Sequence, residues 1–146
     1  RGVIMDGIRV NSGAKRIEVN DNGDYITLNF ADQSFPTRFF AMLDRVLETT
    51  EAASPKEAEI KEKFTVGGLD YTRAMAQLNE DIHSAVVSEI DGFFGVDTCK
   101  HVFGDIVPGI DLIDDFFQQL MPYFQKYGQE RTRRMSKYSA ERTGNV

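Results

Sequence analysis

Ile8-Arg9-Val10-Asn11-Ser12-Gly13-Ala14-Lys15-Arg16-Ile17-Glu18-Val19-Asn20-Asp21-Asn22-Gly23-Asp24-Tyr25-Ile26-Thr27-Leu28-Asn29-Phe30 is the stretch that separates an α+β fold from an all-helical one. Ile8 and Val10 flank Arg9. Ile17 and Val19 alternate with Arg16 and Glu18. Ile26, Leu28 and Phe30 alternate with Thr27 and Asn29. Apolar residues at every second position put one strand face in a core and the other in water. Asn11-Ser12-Gly13 and Asn20-Asp21-Asn22-Gly23-Asp24 lie between the runs, and Asn and Gly reach positive φ at low cost, so both read as turns. The pattern predicts a three-stranded antiparallel meander over about residues 7–30. A sheet that small needs a helix on its apolar face.

The rest of the chain, about residues 34–140, reads as that helical partner. Ser34 is placed to cap a first helix, with Pro36 tolerated in its first turn. Phe35, Phe39, Leu43, Val46 and Leu47 recur at helical spacing, and the pattern weakens at Thr49-Thr50. Ser54-Pro55-Lys56-Glu57 reads as a capping box opening a short exposed helix over about 55–64, with only Ile60 and Phe64 apolar. Gly67-Gly68 breaks the chain. Met75, Leu78, Ile82, Val86, Ile90 and Phe93 then predict a helix over 69–94, and a short one runs from Asp97 to Gly104. After Pro108-Gly109 comes the strongest periodic signal: Ile113, Phe116, Phe117, Leu120, Met121 and Phe124. Pro122 should kink this helix near Gln118–Leu120. Beyond Gly128 the polar run to Tyr138 continues as helix or frays. We therefore expect one domain over residues 1–146: the meander packed on a mainly helical part with a basic C-terminal extension.

At 146 residues, 41% hydrophobic and 27% charged, the composition is that of a folded globular domain. No apolar run approaches the ~20 residues that cross a bilayer. Arg1 to Asp6 lacks the long apolar core of a signal peptide. Residues 126–146 carry six basic side chains (Lys126, Arg131, Arg133, Arg134, Lys137, Arg142) against Glu130 and Glu141, within a chain of net charge −6. The rest is therefore strongly acidic and repels nucleic acid at long range, which disfavours it as a partner, while the basic tail could contact it or any acidic partner. Basic residues late in a helix are also what its dipole favours.

Little here supports catalysis. Cys99 is the only cysteine, so neither an internal disulfide nor a multi-cysteine zinc site is available. Cys99 and His101 stand two apart on a predicted helix, beside Asp97 and Asp105, and such neighbours point apart. His83 stands alone on its helix. Asp111, Asp114 and Asp115 place three carboxylates near a helix start, where the dipole accounts for them without a metal or acid–base role. Asn20 to Asp24 lacks the ligand spacing and closing glutamate of a calcium loop. No phosphate-loop, nucleophile-elbow or zinc-protease motif occurs. We expect no catalytic residues, no metal and no cofactor.

The aromatic content is the informative feature. Phe93, Phe94, Phe103, Phe116, Phe117 and Phe124 cluster late in the chain. Such a stripe builds either a phenylalanine-rich core or an apolar contact face. Phe116 and Phe117 diverge by about 100° around a helix axis, so one ring can face the core while the other serves a partner. The helix beginning near Asp111 carries more apolar residues than one buried stripe requires. Phe116, Phe117, Leu120 and Phe124 are accordingly the candidate partner-binding residues. Covering that surplus predicts a homo-oligomer with Phe116 or Phe117 at the contact.

Ile90 through Gly104 also carries a resemblance. A helix ends in Phe94-Gly95, Thr98 follows, then Phe103-Gly104, then a long aromatic-bearing helix from about Pro108. This resembles small tail assembly chaperones of tailed phages and prophages of Gram-positive bacteria, closely over about residues 80–125 and loosely elsewhere. The resemblance implies a non-enzymatic morphogenesis factor in the cytoplasm of the bacterial host. Its partner would be a tape measure protein or another tail protein, whose apolar helical stripes it would cover until the tube forms. The basic extension is longer than the resemblance leads one to expect. A structural tail or connector subunit, and an acidic phage protein engaging a host factor, are the alternatives.

Overall fold

The computed structural model describes residues 4–10 and 13–142. Two strands, β1 (Ala14–Glu18) and β2 (Tyr25–Asn29), are followed by five helices: α1 (Phe35–Glu51), α2 (Ala53–Lys63), α3 (Leu69–Phe94), α4 (Thr98–Phe103) and α5 (Ile110–Arg142). The strands pair antiparallel with Lys15 opposite Leu28 and Ile17 opposite Ile26. The Val19 N–H donates to the Asp24 carbonyl at 3.0 Å and closes the turn. Opposed residues share a face, so Lys15 and Ile17 lie on the same face as the buried Ile26 and Leu28.

The expected third strand is not there. Residues 4–10 join no strand, and Ile4, Met5, Ile8 and Val10 are 85–89% exposed. Asn11 and Ser12, read as part of its turn, lie outside the described residues. The sheet is therefore two-stranded. The reason lies in register. A hairpin closing after Val10 around Asn11 and Ser12 would set Ile8 beside Lys15 and Asp6 beside Ile17. Two more loop residues would put Ile8 opposite Ile17 but Arg9 opposite Arg16, a like-charge pair. The register between these turns Ile8 and Val10 to the outer face. Each short hairpin therefore carries a mismatch: a buried-face mispairing, a like-charge pair or an outward apolar face.

A single cluster forms the core. β2 contributes Ile26 and Leu28, and α1 contributes Phe35, Phe39, Met42 and Val46. Val86 and Ile90 of α3, Cys99 of α4, and Ile113, Phe116, Phe117 and Leu120 of α5 complete it. The sheet thus finds the helical cover its size demands.

Helix ends follow local chemistry, with two departures from expectation. Ser34 occupies the N-cap of α1 but makes no side-chain cap bond. Its hydroxyl donates to Asp32 Oδ1 at 2.7 Å, and Asp32 Oδ1 also accepts the Ser34 N–H at 2.9 Å. These bonds hold the Asp32 carboxyl below its usual pKa. The Ser54 capping box does not form either. α2 starts at Ala53 because Ala52 is already helical (φ −64°, ψ −14°), ending α1 and starting α2 at once. α5 runs through Pro122 to Arg142 as one element.

Candidate protein-binding surfaces

The four residues singled out on α5 lie mostly inside the chain. Phe116, Phe117 and Leu120 are buried, and Phe124 is half-buried. The Phe116 ring meets Phe94 of α3 at 5.9 Å and Phe103 of α4 at 5.8 Å. Phe117 meets Phe39 of α1 at 6.0 Å. The two rings do diverge, but α5 has neighbours on both sides and each ring finds one. An exposed ring at this doublet is thus corrected: both serve this chain's own core.

The doublet that does split is Phe39-Phe40. Phe39 is fully buried, whereas Phe40 is 45% exposed. Leu47, expected on the buried stripe, is 50% exposed, while Met42 is fully buried. Leu43, between them, is partly buried against the core. Phe40 is held edge-on to Phe39 at 5.3 Å and to Phe124 at 5.7 Å. Of the four α5 candidates, Phe124 is the one that supports an exposed surface. The signal for Phe40 was present in the same adjacent-phenylalanine logic, but the period assigned to α1 passed over it.

The stretch carrying the family resemblance is a turn with a defined architecture. α3 ends at Gly95, whose φ of +126° suits a residue without Cβ. The Thr98 hydroxyl donates to the Gly95 carbonyl at 2.8 Å, and the Cys99 N–H donates to Asp91 Oδ1 at 2.8 Å. Asp91, which sequence reasoning passed over, thereby caps α4 from the preceding helix. Gly104, at φ +86°, ends α4. Asn20 ties the hairpin to this unit: its Nδ2 donates to the His101 carbonyl at 2.9 Å and to Asp24 Oδ2 at 2.8 Å. Its Oδ1 accepts the Asn22 N–H at 2.8 Å, so the loop read as a hairpin turn is held from within.

The potentially reactive groups do not converge. Cys99 is buried, and burial, then the nearby Asp91 charge, push its thiol pKa far up, away from the thiolate a nucleophile needs. His101 Nε2 lies 3.8 Å from Asp24 Oδ1, whereas the Cys99 thiol donates to the Val87 carbonyl at 3.9 Å. His83 Nδ1 sits 2.7 Å from the Asn79 carbonyl of its own helix. Among the described residues, no three acidic, histidine or cysteine side chains are grouped to hold a metal, and no helix is long and apolar enough to cross a membrane.

An open groove of about 460 Å³ runs between β1 and α5. Ile17, Val19 and Ile26 line its sheet side, Val102 and Phe103 its end at α4, and Leu112, Phe116 and Leu120 its α5 side. Glu18, Asp115 and Gln119 give it a polar rim. Comparison of the chain with protein-family models, curated proteins and solved structures gave no match.

Proposed function

We propose that the chain is a non-enzymatic morphogenesis factor of the tail assembly chaperone type, acting in the cytoplasm of a bacterial host. In this reading it holds an apolar helical segment of a tape measure protein against the outer face of α1. The observation that carries this is the exposed pair Phe40 and Leu47, each about half in water on a helix whose Phe39, Met42 and Val46 are buried. Residues seven apart on a helix stand one above the other, giving a stripe about 10 Å long. An amphipathic helix with apolar anchors at matching spacing fits such a stripe. The resemblance over residues 80–125 points to the client, and Phe124 behind Phe40 keeps the ring presented.

Co-expression with the tape measure protein of the same phage or prophage tests this reading. The chain should keep the tape measure protein soluble and be absent from mature particles. Phe40→Asp with Leu47→Asp should abolish the effect while the fold, judged by circular dichroism, persists. A folded double variant that still protects the client would overturn the site. Stoichiometric presence in mature particles would favour a structural tail subunit instead.

A further inference from the structure

We infer that the outer edge of β1 at Glu18 takes residues 8–10 of a second copy of this chain as a third strand. This goes beyond the proposed client surface and uses different residues. In an antiparallel pair, residues alternate between bonding the partner strand and directing their N–H and C=O away from it. Val19 bonds Asp24, so Lys15 and Ile17 face β2 in turn, and Arg16 and Glu18 point their backbone groups outward. No described residue pairs with the outward groups of Arg16 and Glu18. An open edge of this kind is a template for another strand.

The groove beneath that edge is ready for side chains from an added strand. Ile17 and Val19 are half-buried and Leu112 is 43% exposed, so its walls are apolar but incompletely covered. The same chain carries a segment in search of such a place. Ile8 and Val10 are 87% and 85% exposed and alternate about Arg9, the pattern of a one-sided strand.

Register identifies the occupant as a second copy. With no loop to close, Val10 can stand opposite Ile17, Ile8 opposite Val19 and Arg9 opposite Glu18. Both apolar pairs then lie over the groove, and the charge pair lies on the outer face. The chain's own segment cannot reach this register. Only three residues separate Val10 from Ala14, too few to run back beside Arg16, Lys15 and Ala14 and also turn. Exchange between copies covers the exposed apolar segment and pairs the outward groups of Glu18 together.

Sedimentation of the full chain over a range of concentrations tests this. The wild type should self-associate. Ile8→Asp or Val10→Asp should weaken association about tenfold or more, since a buried aliphatic contact becomes a buried charge. Both residues are exposed in the single chain, so its fold should be unaffected. Arg9→Glu and Glu18→Arg should each weaken association by about twofold to fivefold, and the combined reversal should restore it. Phe40→Asp should leave association unchanged, which separates this inference from the client surface. Three results would overturn it: a monomer at every concentration, association indifferent to Ile8→Asp, or amide protection at residues 8–10 that does not depend on concentration.

Discussion

Two phenylalanine doublets, Phe39-Phe40 on α1 and Phe116-Phe117 on α5, have the same local geometry and opposite fates. On α5 both rings are buried; on α1 one is buried and the other is 45% exposed. Intrinsic hydrophobicity is identical in the four cases. The difference is the number of elements around each helix. Phe116 is enclosed by Phe94 and Phe103 from α3 and α4, and Phe117 by Phe39 from α1. Phe40 has Phe124 and its own neighbour Phe39, with no further ring beyond them among the described residues. A helix with packing partners on two sides can bury a broad apolar arc, and one at the margin buries only a stripe.

The sharpest break of this comparison is truncation of the buried rings. Phe39→Ala and Phe117→Ala should each lower unfolding free energy by about 3–5 kcal/mol, read by urea denaturation. If Phe117→Ala cost no more than Phe40→Ala, the two doublets would not differ as described. Asp91→Ala acts one step away, on the turn that brings Phe103 to Phe116. Loss of the acceptor for the Cys99 N–H should cost about 1–2 kcal/mol and loosen that ring contact.

The buried thiol adds a pH arm at the same place. The folded chain holds Cys99 neutral, so its contribution is fully present below the unfolded thiol's pKa of about 8.5 and is lost as pH rises beyond it. Thermal unfolding measured upward from neutral pH should fall more steeply for the wild type than for Cys99→Ala, and the folded thiol should resist alkylation near neutrality. Phe40→Ala should change stability by less than about 1 kcal/mol, since half of that ring is already wet. The smallest effect belongs to the far end of α5. Residues 131–137 are exposed, so deleting residues 129–146 should shift stability by no more than about 0.5 kcal/mol in urea denaturation.

Elements defined by contacts near in sequence were legible in advance. The helix expected over 69–94 is α3, Leu69–Phe94, and the one expected from Asp97 to Gly104 is α4, Thr98–Phe103. Their ends are marked by Gly95 and Gly104, whose positive φ stops a helix wherever the rest of the molecule lies. Ser34 misled because a hydroxyl has rival partners, and Asp32 took it. Of the candidate surface, the sequence showed that α5 carried more apolar residues than one stripe needs, but not where the surplus would go. Phe40 and Leu47 were missed because their exposure depends on what stands beside α1.

The amino-acid sequence by itself determined the α+β character, the helical periods, the turn at Asn20–Asp24 and the scarcity of catalytic groups. Each rests on dihedral preference, periodicity or residue inventory, which act over a few residues. Only the tertiary structure decided that Ile8 and Val10 stay outside the sheet, that Phe116 and Phe117 both turn inward, and that Phe40 is left in water. Those outcomes depend on strand register and on which helices surround a given face. Alternation can mark a strand, but pairing requires a partner whose opposing residues match.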